Sequence, residues 1–384
     1  MDSASAHIVS GLAIATWDDW TMRLVASMAV GFAAIALKCI LPSEAAGPPS
    51  PGDNSIVITP GREFAATSYV HKPLSADAPL DPKSRLLVAE LLAQVKQYYG
   101  TIAVGSGDYS PPIFIVGPDQ PTVRVLAKRG WDPSWSLPAL QQKWLAAPLP
   151  SGFEPAHGSD KEAVVYQPST GRYWEFWAME RTGEKIRDSA GREVDEWRAG
   201  WGGAIDDLSR NEGYFQTPPE GYKFGATATG LPYLAGVMTI KEQQRGVIEH
   251  PLHFAIPKVR KAVWSFPAQR TDGLVDDPLA IPEGATFRFP ANLDFDAMDL
   301  QPYGRMVAKA IQKYGMILRD TAGAVVIYAE NPSNHYASDP YSGPGGILDC
   351  PNGAPVQACW PDSNNRLRGV PWEKLQVVQA RTSQ

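Results

Sequence analysis

Short runs of alternating apolar and polar residues dominate the chain and predict many short strands. Successive side chains of a strand point to opposite faces, so an apolar residue at every second position indicates one buried face. Residues 251–257 show the pattern, with Leu252, Phe254 and Ile256 facing inward and His253 facing outward. The predicted strands cover residues 111–117, 122–127, 163–166, 173–178, 251–257, 262–267, 286–289, 316–318 and 324–329.

Turn sequences predict which of these strands are neighbours. A Pro-Ser-Thr-Gly turn at residues 168–171 predicts a hairpin between the strands on either side of it. A Thr-Ala-Gly turn at residues 321–323 predicts that the last two strands also pair with each other. Residues 183–193 are polar and are predicted to form an exposed loop.

Apolar residues three and four positions apart predict four helices. The first begins after Asp81-Pro82 and ends at Gly100, because Asp is a good N-cap and Pro fits the first helical turn. Thr239 followed by Glu242 is a capping box, which gives Glu242 a structural role and removes it from the catalytic candidates. The remaining helices are predicted at residues 138–146, 239–246 and 302–313.

The order of elements predicts a mainly β protein with peripheral helices (α+β), built as one large domain resembling a β-sandwich or jelly roll. The 35 Pro and 34 Gly residues are spread along 384 residues and favour short strands joined by ordered turns. The predicted regions are a signal peptide or N-terminal anchor (1–46), a Pro/Gly-rich linker (47–62), a β-rich domain of catalytic type (63–345) and a C-terminal tail (346–384).

Charge and motif content narrow the function classes. The net charge is −6 and no Lys/Arg run occurs, which argues against a nucleic acid partner. The chain also lacks a Walker loop, the spaced Cys and His pairs of zinc sites, and a Gly-x-Ser-x-Gly motif. We therefore predict neither a cofactor nor a metal ion.

The N-terminal sequence predicts export. An apolar run at residues 24–37 follows Arg23 and precedes a patch of small residues, which is the outline of a signal peptide cleaved near Ala46. The alternative is an uncleaved anchor, which would be the chain's attachment to a membrane. In either case the protein is predicted to be secreted or held at the cell surface. In that oxidising compartment Cys350 and Cys359 are predicted to form a disulfide, with two free thiols as the alternative.

The most aromatic predicted strand contains a carboxylate. Alternation places Tyr173, Glu175 and Trp177 on one face. Aromatic rings suit the C–H faces of sugars, and a carboxyl group among rings can acquire the raised pKa that general-acid catalysis needs. We therefore predict that this face is exposed and binds a saccharide, with Glu175 as the acid or nucleophile. The alternative is a half-buried strand in which Glu175 pairs with Arg172 or Arg198.

Glycoside cleavage needs a second carboxyl group. Asp207 and Glu249 are the candidates, and a helix cap or an exposed strand start are their structural alternatives. His250 could orient a carboxylate or act as a base, although a lone His is more often structural. Glu283 lies in a predicted turn and is expected to face solvent.

Further substrate contacts are predicted at two aromatic and three charged positions. Trp201 and Trp264 would stack on sugar rings. Arg270 and Asp272 would bind hydroxyl groups or an acidic sugar, with a loop salt bridge as the alternative. Asp160, just before a hairpin strand, is a further candidate.

Several motifs between residues 64 and 331 resemble those of a family of secreted actinobacterial proteins. They include GSD at 158–160, WEFW at 174–177, AGWGG at 199–203, ATAT at 226–229, FPAQRTDG at 266–273 and IPEGA at 281–285. The resemblance implies export and one domain of the size of an enzyme. No reaction is established for that family, so the resemblance implies none.

The resulting hypothesis is a secreted carbohydrate-active hydrolase that cleaves a cell-wall or environmental polysaccharide with two carboxyl groups. One alternative is a polysaccharide lyase, in which Arg270 would neutralise a uronate and His250 would take the proton. Another is a non-catalytic cell-surface protein that binds glycans. In all three cases the expected partner is a polysaccharide or cell-wall glycan.

Overall fold

The computed structural model describes residues 63–127, 137–216, 224–333, 336, 338–343, 345–349 and 366–380. These residues belong to one compact unit that spans residues 49–384. The predicted signal segment, the linker and the predicted Cys350–Cys359 disulfide lie outside the described residues. No helix in the described part of the chain is long and apolar enough to cross a bilayer.

Short strands and four α-helices make up the described fold. The helices are α1 (Ser84–Gln97), α2 (Leu137–Lys143), α3 (Ile240–Arg245) and α4 (Pro302–Tyr314). The strands are β1 (Ala103–Gly105), β2 (Ile113–Ile115), β3 (Val125–Ala127), β4 (Ala163–Gln167), β5 (Arg172–Trp177), β6 (Glu180–Arg187), β7 (Glu193–Ala199), β8 (Trp201–Ile205), β9 (Leu252–Ile256), β10 (Val259–Trp264), β11 (Ile281–Glu283), β12 (Thr286–Arg288), β13 (Met316–Thr321), β14 (Val326–Tyr328) and β15 (Gln376–Val377).

The strands form four sheets. The largest has the order β1-β14-β9-β13-β12-β15, and a second has the order β2-β4-β5-β8. A three-stranded sheet (β3-β7-β6) and a two-stranded sheet (β10-β11) complete the set. Part of the predicted tail belongs to the largest sheet, since β15 pairs antiparallel with β12. The prediction of a mainly β protein with peripheral helices is confirmed.

The largest sheet is buried on both faces. Phe254 of β9 belongs to a core that also contains Leu91 of α1 and Val307 of α4. Its neighbour Ala255 belongs to a second core together with Tyr173 and Phe176 of β5. The two central sheets therefore share apolar contacts, and charged residues between them are removed from water.

Local signals predict several elements well. The capping box of Thr239 and Glu242 starts α3, and Pro302 occupies the first turn of α4. The predicted hairpin is also present, since β4 and β5 pair antiparallel across residues 168–171. Helix α1 begins slightly later than predicted, and Asp81 instead accepts a hydrogen bond from the Lys83 N–H at 2.7 Å.

Three predictions about strands are wrong. Most of residues 183–193, predicted to be a loop, lie in the antiparallel pair β6 and β7. Strands β13 and β14 do not pair with each other, because β9 lies between them and pairs with both. His253 of β9 is fully buried instead of facing outward, since both faces of this strand are covered.

Candidate functional site

Strand β5 holds Glu175 inside the protein. Glu175 and Tyr173 are both fully buried, because β5 lies between β4 and β8 and the loop after residue 224 covers the face that is predicted to be open. The prediction that this face contacts solvent is therefore wrong for these two residues. Trp177, at the end of the strand, is half-buried.

Three donors hold the Glu175 carboxyl group. Its Oε1 accepts a hydrogen bond from the Ala226 N–H at 2.6 Å, and its Oε2 accepts from the Tyr173 hydroxyl at 2.6 Å and the Tyr233 N–H at 3.1 Å. Burial raises the pKa of Glu175 to about 7, while these donors oppose the rise. The Glu175 carboxyl group thus joins the loop at Ala226 to strand β5, and this structural role requires no access to solvent.

A second sealed carboxyl group is joined to the first through one tyrosine. The Tyr233 hydroxyl donates to Oε1 of Glu162 at 2.7 Å, and Glu162 is buried just before β4. Burial raises the pKa of Glu162 to about 7 against the opposing effect of Arg319. We call Glu162, Tyr173, Glu175 and Tyr233 the Tyr233 network.

Arg319 lies beside this network on β13. Its guanidinium carbon is 4.7 Å from the ring centre of Tyr233 and 3.6 Å from that of Tyr328. Arg319 is fully buried, and its Nε is 3.9 Å from Oδ2 of Asp320. The buried cation therefore connects the Tyr233 network to the next residue of its own strand.

Asp320 belongs to a group of three carboxyl groups that includes Asp272 and Glu283. One oxygen from each lies within 4.8 Å of the others. Asp272 is exposed, Asp320 is half-buried and Glu283 is buried. Glu283 is predicted from the sequence to face solvent, so that prediction is wrong. We call these three residues the carboxyl cluster.

Hydrogen bonds fix the carboxyl cluster. The Asp272 N–H donates to Oε2 of Glu283 at 3.2 Å, and the Thr321 hydroxyl donates to Oδ2 of Asp272 at 2.9 Å. The Ala228 N–H donates to Oδ2 of Asp320 at 3.3 Å. The cluster is thus assembled from four separate segments of the chain.

The cluster also shifts the protonation of its members. Burial, and then the neighbouring Asp272, raise the pKa of Glu283 to about 9. Burial raises the pKa of Asp320 to about 7, although the positive charge of Arg319 opposes the rise. Strongly perturbed carboxyl groups at a point open to solvent are typical of functional sites.

Arg270 binds the loop that contacts the carboxyl cluster. Its guanidinium donates to the carbonyl oxygens of Ala228 at 2.8 Å, Gly225 at 2.8 Å and Thr227 at 2.6 Å. These contacts with the main chain hold Arg270 in place, and its guanidinium also interacts with the charges of Asp320, Glu175, Glu283 and Asp272. Arg270 therefore shapes the loop that donates to Glu175 and Asp320.

Several of the sequence motifs noted above meet at this place. Four of them, distant in sequence, supply three carboxyl groups, one guanidinium group and two amide donors. WEFW supplies Glu175, ATAT supplies the amides of Ala226 and Ala228, FPAQRTDG supplies Arg270 and Asp272, and IPEGA supplies Glu283. GSD adds Asp160, whose charge raises the pKa of both Glu162 and Asp320.

Carboxylate oxygens of this kind can bind Ca²⁺, and within the described residues the carboxyl cluster is the group close enough to share a cation. Two guanidinium groups already supply positive charge here. Arg270 feels the charges of all three carboxyl groups, and Arg319 lies beside Asp320.

Two other predicted catalytic residues have structural roles. Asp207 caps a short 3₁₀ turn, accepting from the Ser209 N–H at 3.0 Å and pairing with Arg210 at 3.3 Å. His250 is fully buried, with Nε2 3.2 Å from Oε2 of Glu242 and Nδ1 2.7 Å from the Pro251 carbonyl oxygen. Burial opposes the charged ring, but Glu242 raises the pKa of His250.

The remaining predicted residues are placed differently from one another. Glu249 is half-buried and is not one of the three carboxyl groups that converge within 4.8 Å in the described structure. Trp177 and Trp201 are cross-strand neighbours on β5 and β8. Trp264 is 44% exposed at the end of β10 and pairs in register with Glu283, so it lies next to the carboxyl cluster.

Sequence reasoning missed Glu162, Tyr233, Arg319 and Asp320. One signal was present, since Arg319 and Asp320 are adjacent charges that follow the apolar start of a strand.

No protein-family model, no curated protein and no solved structure matches this chain.

Proposed function

We propose that this protein is a secreted carbohydrate-active hydrolase, which cleaves a cell-wall or environmental polysaccharide with Asp320 and Asp272 as its two carboxyl groups. The carboxyl cluster is the observation that supports the proposal. It brings a carboxyl group with a pKa of about 7 next to an exposed one. Carboxyl groups in unlike environments are what a general acid and a nucleophile require.

The spacing favours retention of configuration. Retaining glycosidases hold their carboxyl groups about 5 to 5.5 Å apart, and inverting ones leave room for a water. With oxygens within 4.8 Å, Asp272 would attack the anomeric carbon while Asp320 gives its proton to the leaving oxygen as that bond breaks. Water would then lose a proton to Asp320 and displace Asp272, which restores both groups.

Glu283 supports this pair from behind. It is buried against both carboxyl groups, and its pKa of about 9 keeps it protonated at neutral pH. A neutral Glu283 adds no further negative charge to the cluster.

The surroundings suit a sugar. Trp264 is exposed beside the cluster, and Val263, Leu274 and Leu279 from the same region are also exposed. Aromatic and apolar surface next to polar groups matches the two kinds of surface on a saccharide. A sandwich or jelly-roll arrangement of the sheets, which the sequence pattern predicts, belongs to this proposal.

The lyase alternative has less support, since Arg270 is occupied by main-chain carbonyls and His250 is buried against Glu242. A non-catalytic glycan-binding protein is the second candidate. The exposed Trp264 favours it, because a ring can bind a sugar without any cleavage.

A panel of bacterial cell-wall glycans and plant polysaccharides, assayed for reducing ends, tests the proposal. We expect Asp272→Asn and Asp320→Asn each to reduce kcat by about 100-fold or more, with folding unchanged by circular dichroism. Asp276→Asn, an exposed residue four positions from Asp272, is the matched control. Full activity in either cluster variant would overturn the assignment, and binding without turnover by the wild type would select the glycan-binding function.

A further inference from the structure

Strand β13 contains an irregularity at Arg319. Its parallel pairing with β9 joins Leu318 to Phe254 and then Asp320 to Ala255, so Arg319 is an extra residue in the ladder. Bulges of this kind re-aim side chains and are frequent next to active sites. Here the bulge lets Arg319 and Asp320, neighbours in sequence, approach to 3.9 Å between Nε and Oδ2.

Aromatic rings hold the Arg319 side chain. Its guanidinium lies against Tyr328 and Tyr233, which is a favourable cation–π arrangement when water is excluded. No carboxylate or carbonyl oxygen of the described residues accepts a hydrogen bond from its three nitrogens. The two rings thus fix the position of the guanidinium group, and its positive charge acts on nearby carboxyl groups without a direct hydrogen bond to them.

A buried cation needs negative charge close by. The carboxyl groups that interact with Arg319 are those of Glu162, Glu175 and Asp320. Only Asp320 among these three has a side chain partly open to solvent, at 20% exposure. Of these three carboxyl groups, Asp320 is therefore the one through which the charge of Arg319 can affect a group at the protein surface.

We infer that Arg319 is a positioning residue, whose fixed positive charge, 3.9 Å from Oδ2 of Asp320, favours the ionised form of that carboxyl group from behind the proposed catalytic surface. The inference rests on the proposed function for its effect on turnover, but its effect on Asp320 stands separately. The groups that face Asp320 come from several elements. They are Arg319 on its own strand, Asp272 and Arg270 on the loop after β10, Glu283 on β11, Asp160 and Glu162 before β4, Tyr328 on β14, and the amides of Ala228 and Thr321. Arg319 and Arg270 are the cations of this set.

The experiment measures the titration of the Asp320 carboxyl group by carbon NMR, in protein labelled at aspartate, with Asp320→Asn used to assign the resonance. We expect Arg319→Met to raise the pKa of Asp320 by about one to three pH units, because an adjacent cation lowers a carboxyl pKa by that amount. Arg319→Lys keeps the charge and should shift the titration less. An unchanged titration in Arg319→Met would overturn the inference.

A second variant covers the case in which Arg319→Met does not fold. Tyr328→Leu keeps the arginine but removes the ring 3.6 Å from it, so the titration of Asp320 should move in the same direction by a smaller amount. If it does not move, the positioning role is wrong. The alkaline limb of any pH–rate profile should follow the NMR shift. Absence of hydrolysis would refute the proposed function alone, since the titration needs no substrate.

Discussion

Replacing Glu175 with glutamine tests whether a sealed carboxyl group makes the stability of this protein depend on pH. Burial raises the pKa of Glu175 from 4.5 to about 7. One pKa unit corresponds to about 1.4 kcal/mol, so ionising this group inside the folded protein costs about 3 kcal/mol. Because the pKa of Glu175 is higher in the folded protein than in the unfolded chain, the neutral carboxyl group contributes this free energy to stability in full below pH 4.5. The contribution is lost as the pH rises through about 7.

The Glu175→Gln substitution should change the slope of that dependence more than the stability at any one pH. The glutamine side chain would be a poor fit, since its amide N–H₂ would meet the N–H of Ala226 or the donors at Tyr173 and Tyr233. We expect a loss of about 1 to 3 kcal/mol at about pH 4.5 for the unpaired donors. The difference in free energy of unfolding between the wild type and the variant should narrow, or reverse, by about pH 8, where the wild type carries a buried charge.

Guanidinium unfolding at half-unit steps from about pH 4.5 to 8.5 measures the effect. Glu184→Gln, on the exposed face of β6, is the matched control and should follow the wild type throughout. Glu162 titrates over the same range, so only the difference between the Glu175→Gln and wild-type curves reports on Glu175. Parallel curves for these two proteins would refute the reasoning.

Two further predictions concern the surface of the site and its backbone. Trp264→Ala should raise KM for an oligosaccharide substrate by about fivefold, since an aromatic contact is worth on the order of 1 kcal/mol. The free energy of unfolding should stay within about 1 kcal/mol of the wild-type value because the side chain is exposed. An unchanged KM would remove Trp264 from the binding surface. Gly284→Ala should destabilise the fold by more than about 2 kcal/mol in denaturant unfolding, because φ is +81° and a Cβ would overlap the carbonyl oxygen of Ser265. Gly191→Ala, with φ of +78° and open space around it, should cost only about 1 kcal/mol, and equal losses in the two variants would show that the overlap is relieved elsewhere.

Period-two patterns identify strands but do not say how many faces of each strand are covered. The sequence of β5 carries strand-forming residues on both faces, and the prediction assigns one of those faces to solvent. In the structure β5 packs against a core on one side and the loop at Ala226 on the other, so Glu175 is sealed. The same reason explains His253, which lies on a strand between two cores.

Turn chemistry predicts the position of Glu283 in sequence but not its surroundings. The turn at Gly284 packs closely against Ser265, and the loop at Asp272 covers Glu283. These contacts join segments that are adjacent only after β10 and β11 pair in parallel. The adjacent charges of Arg319 and Asp320 are visible in the sequence, but their placement depends on a bulge in the pairing of β13 with β9.

The order of strands in the largest sheet has a consequence for biogenesis. Position 103 finds its partner at position 326, and the sheet is completed by positions 376 and 377. Closing such long loops costs entropy before any contact repays it, which makes assembly slow. On a nascent chain, β1 therefore cannot take its place in this sheet until synthesis has passed position 328.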